Sequence, residues 1–188
     1  MIWHDHSRDP HLGEHAILSP SHYPWVNYDD DKLIAMAEAI EAKEIGTRLH
    51  AFACEAIRLG QRLPKSRKTL NQYVNDAIGF KMEPEMEVYY SKYCYGKADA
   101  ISFKNKLLRV HDLKTGVTPA KLTQLETYAA LFCLDYSIDP YDIEFELRIY
   151  QNDDVLIGNP DPDYIRERIK TIVHDSEILR KHYEGEAR

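Results

Sequence analysis

The segment MEVYYSKYCYGKADAISFKNKLLRVHDLK, residues 86–114, most restricts what this chain can fold into. It is dense in Val, Tyr, Phe and Ile and is broken by the polar turn Lys104-Asn105-Lys106, so it reads as strands near 86–92, 94–103 and 107–114. Such strands must cover their apolar faces, and the flanking sequence supplies helices. From Asp30, behind a cluster of capping aspartates, Leu33, Ile34, Ala37 and Ile40 recur at helical spacing to about Glu44. Gly46 and Thr47 either break that helix or start a second one, because GTRLHAFACEAIRLG repeats the pattern through Leu49, Phe52, Ala53, Ala56 and Ile57 and stops at Gly60. A further helix is expected around 67–79. Beyond the strands, Thr118 and Pro119 open a helix running to Asp135, IEFELRIYQ (143–151) alternates as a fourth strand, and a last helix runs from Pro162 to Tyr183. The expectation is an α/β fold with a central sheet covered by helices and no internal repeats.

One domain is expected over 30–188, preceded by a loosely structured arm at 1–29, since 188 residues suffice for one sizeable core. That arm holds five of the nine histidines, among them His4 and His6, with Pro10, Pro20 and Pro24, but no accompanying acid or cysteine spacing marks a metal site. The longest apolar run, YAALFCL at 128–134, is far shorter than the roughly 20 residues that cross a bilayer. No membrane association is expected, and the opening MIWHDHSRDP has no basic start or apolar stretch of a secretory signal, which points to the cytoplasm. Cys54, Cys94 and Cys133 stand about 40 residues apart with no CxxC, and read as buried thiols.

A net charge of −7 argues against a protein that coats nucleic acid nonspecifically, but not against a local basic path. Residues 56–75 carry Arg58, Arg62, Lys65, Arg67 and Lys68 without an acid. They are either a phosphate-contacting patch or the solvated end of a helix.

The chemistry-bearing pattern is acid-x-lysine, which occurs three times. Asp30-Asp31-Lys32 caps a helix, and Glu41 and Lys43 lie about 200° apart on one. Only Asp112-Leu113-Lys114 closes a strand, where Asp112 and Lys114 share a face, about 7 Å apart, while His111 and Leu113 turn to the core. With the preceding turn centred on Asn105, cross-strand partners sum to about 210, so Asp99 falls near Asp112 once a bulge is allowed. Two facing carboxylates repel, and a divalent cation resolves the repulsion. Read alone, the three residues are equally the surface charges of a hairpin end. Two helical positions add context: His50 is a lone polar residue between Leu49 and Phe52, and QLETY sets Gln124 and Tyr128 four apart on the helix after the strand.

In this order, GTRLH with His50, the acids Glu85 and Glu87, GKAD with Asp99, DLKTG with Asp112 and Lys114, and QLETY with Gln124 and Tyr128, the chain resembles the PD-(D/E)XK nuclease superfamily. The branch is that of lambda exonuclease, the RecB nuclease domain and the CRISPR-associated and phage exonucleases, and the match spans residues 46–128. The resemblance implies a restriction-endonuclease-like core with a mixed sheet of about four or five strands, and a Mg²⁺- or Mn²⁺-dependent deoxyribonuclease, an exonuclease of phage or prophage recombination. It implies His50, Asp99, Asp112 and the Leu113 carbonyl as metal ligands, Lys114 as the residue that positions the attacking water, and Gln124 and Tyr128 as braces of the site. Glu87 is a further candidate, with Glu85 competing for the same inward position. DNA is the implied substrate, with a single-strand annealing or recombination protein and a homo-oligomer as implied partners. The iron-sulfur branch needs four cysteines, which three cannot supply, and no helicase motif is present. The alternative is a catalytically idle nuclease-fold module that binds DNA or a recombination partner; a third reading makes all the charges structural.

Overall fold

The computed structural model describes residues 5, 7, 8 and 16–185. His4, His6, His11 and His15 lie outside them, so the histidine-rich arm is represented only by its end. The chain divides into two units, Met1–Ile45 and Gly46–Arg188.

In the first unit a 3-10 helix spans Pro20–Asn27, entered through Ser19, whose hydroxyl accepts from the Ser21 amide. The Trp25 indole donates to the Ser19 carbonyl at 3.0 Å, closing the turn on itself. Asp29 then accepts from the Lys32 amide at 2.9 Å, an N-cap that starts helix α1 (Asp30–Arg58). α1 continues through Gly46 without a break. The glycine is kept for contact rather than for a turn: a Cβ there would stand 2.7 Å from Thr115 Oγ1.

The second unit is built on one five-stranded sheet in the order β1-β2-β3-β4-β5, with β1 Glu83–Ser91, β2 Cys94–Lys104, β3 Leu107–Leu113, β4 Glu144–Gln151 and β5 Asp154–Gly158. The first three strands form an antiparallel meander, β4 lies parallel to β3, and β5 returns antiparallel along β4. A parallel step needs a crossover, which α3 (Thr123–Asp135) provides. The fold is thus a mixed α/β sheet flanked by helices. α3 and α4 (Pro162–Gly185) bury Leu125, Ala129, Ala130, Ile165 and Ile172 against Val88, Leu108, Val110 and Leu147. The end of α1 and α2 (Thr69–Phe80) bury Ala53, Ala56, Ile57, Tyr73, Val74 and Ala77 against Ala100, Leu113 and Tyr150. Each cluster excludes water from one sheet face, at roughly 1.5–3 kcal/mol per large side chain.

Two differences from the sequence reading have local causes. β5 was not expected, although Asn152 and Asp153 both sit at positive φ, 53° and 59°, the backbone that a two-residue hairpin turn demands. Asn105 and Lys106 do the same at 52° and 62° between β2 and β3. And α3 starts at Thr123 rather than Pro119, because Gln151 holds the preceding loop: its side chain accepts from the Ala120 amide and donates to the carbonyls of Gly116 and Thr118. Of the three cysteines, all free thiols, only Cys133 is fully buried, which pushes it up to about 12; Cys54 and Cys94 are half-buried. Among the described residues no helix is long and apolar enough to cross a membrane.

Candidate metal and phosphate site

The site forms where two strands part. β2 and β3 stay paired as far as Ala100 and His111; beyond that point β3 leans on β4, with Leu113 opposite Tyr150. The register sums to 211, which carries Asp99 and Asp112 toward each other across the opening fork. In place of the ladder, Asp99 Oδ2 accepts the Leu113 amide at 2.9 Å, so a side chain satisfies a backbone donor where the strands separate. His50, half-buried on α1, brings Nδ1 to 3.4 Å from the same oxygen.

Asp112 is 4% exposed. Lys114 Nζ donates to its Oδ1 at 3.1 Å and lies 3.0 Å from Oδ2, yet Oδ2 is left buried without a properly directed hydrogen bond. The ammonium is fixed from the other side by Gln124 Oε1 at 2.8 Å. Tyr128, one helical turn on, donates to the Lys97 carbonyl at 2.7 Å, with its ring lying over Gly96, where a Cβ would be 3.0 Å from it. α3 therefore clamps both strands: Gln124 orients the lysine after β3, and Tyr128 pins β2. Burial, then the Asp112 carboxylate, push the Asp99 carboxyl up to about 6, against the lowering effect of the Leu113 amide, His50 and Lys114.

The other sequence candidates sit as follows. Glu87 is exposed on β1 opposite Lys97. Glu85 is the better placed of the two acids: its neighbours Pro84 and Met86 pair with Ala100 and Ala98, which puts it level with Asp99, and its φ of 55° interrupts the strand there. A left-handed non-glycine residue inside a strand costs about 1–2 kcal/mol and re-aims its side chain. Glu85 reaches Lys97 at 3.6 Å, and with Asp99 and Asp112 it contributes to holding the buried Tyr73 phenol above its ordinary range, behind the larger effect of burial. Strict alternation hid this residue, because the phase breaks at Glu85 itself.

The basic residues Arg58, Arg62, Lys65, Arg67 and Lys68 are all exposed. Arg62 donates to the Asn75 carbonyl, and Lys68 pairs with Asp153 at 2.9 Å. Leu49, Thr69, Leu70, Leu113, Lys114 and Asp153 line an open cleft of about 410 Å³, which joins the lysine of the fork to the start of α2, just after Arg67 and Lys68.

Among the described residues no three His, Cys, Asp or Glu side chains converge as a ready-made metal cage. The fork nevertheless suits a hard divalent cation: two carboxylates lie close together beside one ammonium, and the buried Asp112 Oδ2 has an ion-pair contact but no well-directed hydrogen bond. Mg²⁺ and Mn²⁺ are commonly held by one or two carboxylates, with water and substrate phosphate completing the shell. Asp99 and Asp112 would hold such an ion, and His50, which contacts Asp99, is the side chain beside them.

No family model matches the chain, and no curated protein matches it significantly. Among solved structures, the crystal structure of SSO0001 is similar over 72% of this chain and 87% of its own, at 13% identity and a TM-score of 0.32, a likeness too distant to bear on the site.

Proposed function

We propose that the chain is a divalent-metal-dependent deoxyribonuclease of the PD-(D/E)XK type that hydrolyses DNA phosphodiester bonds at the fork between β2 and β3, in DNA processing or recombination. The observation that carries the reading is the arrangement of Asp99, Asp112 and Lys114: two acids close together at a strand end, the Asp99 carboxyl pushed up by burial and by its neighbour, and a lysine held between Asp112 and Gln124.

The chain's own residues divide the work. When bound, a divalent cation supplies Lewis-acid polarisation of the phosphate oxygens. Asp99 and Asp112 would hold it, and the Leu113 amide keeps the Asp99 carboxylate aimed into the fork. Lys114 would donate to the attacking water and to the charge that grows on the phosphate, and Gln124 gives its ammonium a second partner besides Asp112. Pinning of β2 by Tyr128 preserves the spacing of the two acids. The exposed Lys65, Arg67 and Lys68 precede Thr69, which lines the Lys114 cleft, and would contact phosphates of a strand leaving it. A homo-oligomer and a strand-annealing partner belong to the same proposal.

The test is incubation with linear, nicked, circular and single-stranded DNA in Mg²⁺, Mn²⁺ or EDTA, beside Asp112→Ala and Lys114→Ala. Metal-dependent loss of DNA that both substitutions abolish is expected, with linear and circular substrates separating end-dependent from internal cleavage. Retained binding without any cutting would instead support the idle DNA-binding module, for which the close Lys114–Asp112 pairing is the one favouring observation.

A further inference from the structure

The run YYSKYCY places four of the chain's thirteen tyrosines within seven residues, 89–95, at the turn between β1 and β2. None of them takes part in the site above. Tyr89 and Tyr95 are direct cross-strand partners, stacked at 5.9 Å between ring centres with 28° between planes, and they remain 48% and 58% exposed. Exposed aromatic rings stacked on each other in water shield only one face each, and leave the outer faces for a flat partner. Beside them, Tyr89, Tyr90 and Tyr93 line a cleft of about 580 Å³ between the turn and α4, with Ser91, Val173 and Ser176. Tyr93 stacks on Tyr183 at 5.9 Å, with its own hydroxyl buried.

The charges around this cleft decide what it can take. Lys92 is paired with Glu184 at 3.0 Å and Arg180 with Glu177 at 2.7 Å, so each cation of the lining already has a carboxylate. The lining is poor for a phosphate and good for an uncharged aromatic ring with polar edges. Tyr95 precedes Asp99 by four residues on the same strand, about 13 Å, which corresponds to about four nucleotides at the ~3.4 Å rise of a duplex strand and fewer of an extended single strand.

We propose that the Tyr89–Tyr95 pair and the adjoining tyrosine cleft form a stacking platform for unpaired nucleobases of the DNA strand whose backbone is cut at the fork. This rests on the nuclease reading for its substrate, and it adds a base-binding surface to a site otherwise built for phosphate. Stacking on aromatic side chains tolerates any base, so the platform confers a preference for unpaired strands without sequence specificity.

The test is binding in EDTA, where no cleavage intervenes, of a fluorescent oligothymidylate and of an abasic oligonucleotide of the same length and charge, read by anisotropy. The whole chain is expected to bind the thymine strand about ten-fold or more tighter than the abasic one. Tyr89→Ala with Tyr95→Ala should remove most of that difference while leaving abasic binding within about two-fold, and Tyr89→Phe with Tyr95→Phe should restore it. Both positions are exposed, and unchanged thermal melting of the variants establishes that they fold. Equal affinity for the two strands, or a base preference that survives the alanine pair, overturns the platform. Hydrolysis of bis(4-nitrophenyl) phosphate in Mn²⁺ is measured in parallel and should be unchanged in the alanine pair. Its absence in the wild type would sink the nuclease reading, whereas the EDTA titration decides the platform independently.

Discussion

Two regions beside β3 handle partly buried charge in opposite ways. On the α2 side, Asp76, Arg148, Glu146 and Arg109 alternate in sign at 2.9–3.1 Å, and both arginines lie over the Phe80 ring at 4.4 and 4.8 Å. Tyr150 donates its proton to Asp76 at 2.7 Å, so Nδ1 of His111 is the donor in the 3.3 Å contact with the Tyr150 oxygen. Burial, with Arg148 and Arg109, holds His111 down at about 3, and the ring stays neutral against Phe80. Two acids there meet two arginines. At the fork, Lys114 pairs with Asp112, Asp99 has only His50 at 3.4 Å and the Leu113 amide beside it, and burial with the Asp112 carboxylate pushes Asp99 up to about 6. The first network pairs its acids with arginines; the fork keeps two acids together, which is the feature the proposed cation site rests on.

The sharpest way to break the contrast is to delete one group from each region. Asp112→Ala or Lys114→Ala should lower DNA cleavage by about 10³-fold or more in a gel assay; by calorimetry Asp112→Ala should keep or raise thermal stability, whereas Lys114→Ala, which leaves the buried Asp112 carboxylate without its cation, should lower it. Arg148→Ala should do the reverse of Asp112→Ala. It leaves Asp76 without its arginine, while Glu146 keeps Arg109, and should cost about 2 kcal/mol in urea unfolding, with cleavage per folded molecule nearly unchanged, the figure allowing for the partial exposure of Asp76.

Asp99→Asn separates stability from function at a single atom, because an amide oxygen still accepts the Leu113 amide. The Asp99 carboxyl is raised from 3.8 to about 6 in the fold, so the folded state binds its proton more tightly than the unfolded chain does. Its contribution to stability is full below about pH 4 and is lost as pH rises through 6. Metal-free Asp99→Asn should therefore melt higher than the wild type at pH 7.5, by about 1–2 kcal/mol, and the two should converge near pH 4. A lower melting point for the variant at pH 7.5 would mean that the acids are already compensated.

A smaller effect is expected at Gly46→Ala, where the new methyl pushes on Thr115, next to Lys114. About ten-fold loss of cleavage is expected, relieved by Thr115→Ala in the double variant; no relief would place the cause elsewhere. Smallest is Lys65→Ala with Arg67→Ala, which should shift DNA affinity mainly through its salt dependence, by about two units of slope at most.

How far the sequence reached depends on what each position answers to. Asp99 and Asp112 were legible because a two-residue turn at Asn105 fixes the register to within one residue, and the strand phase does the rest. His111 turned to the core as alternation demands. Gln124 was visible as a helix face, but its contact with Lys114 was not, since it depends on where α3 starts, and Gln151 of a distant strand sets that start. Tyr128 was placed at the site, yet its partner is the Lys97 carbonyl, a backbone group that no side-chain pattern encodes. Glu85 was obscured behind Glu87 because its left-handed backbone breaks the very periodicity used to read it. Gly46 looked like a helix break, since a contact 69 residues away along the chain leaves the same mark as a turn.

The central claim, that the fork is an incomplete acid site made for a divalent cation, is tested most directly by calorimetric titration of Mn²⁺ into the metal-free protein at several pH values. The account predicts binding that strengthens from about pH 5 to 7 with release of a proton, as expected when a cation displaces the proton on Asp99, and that is lost in both Asp99→Asn and Asp112→Asn. Binding of equal strength in the wild type and both variants, or none at any pH, would contradict it.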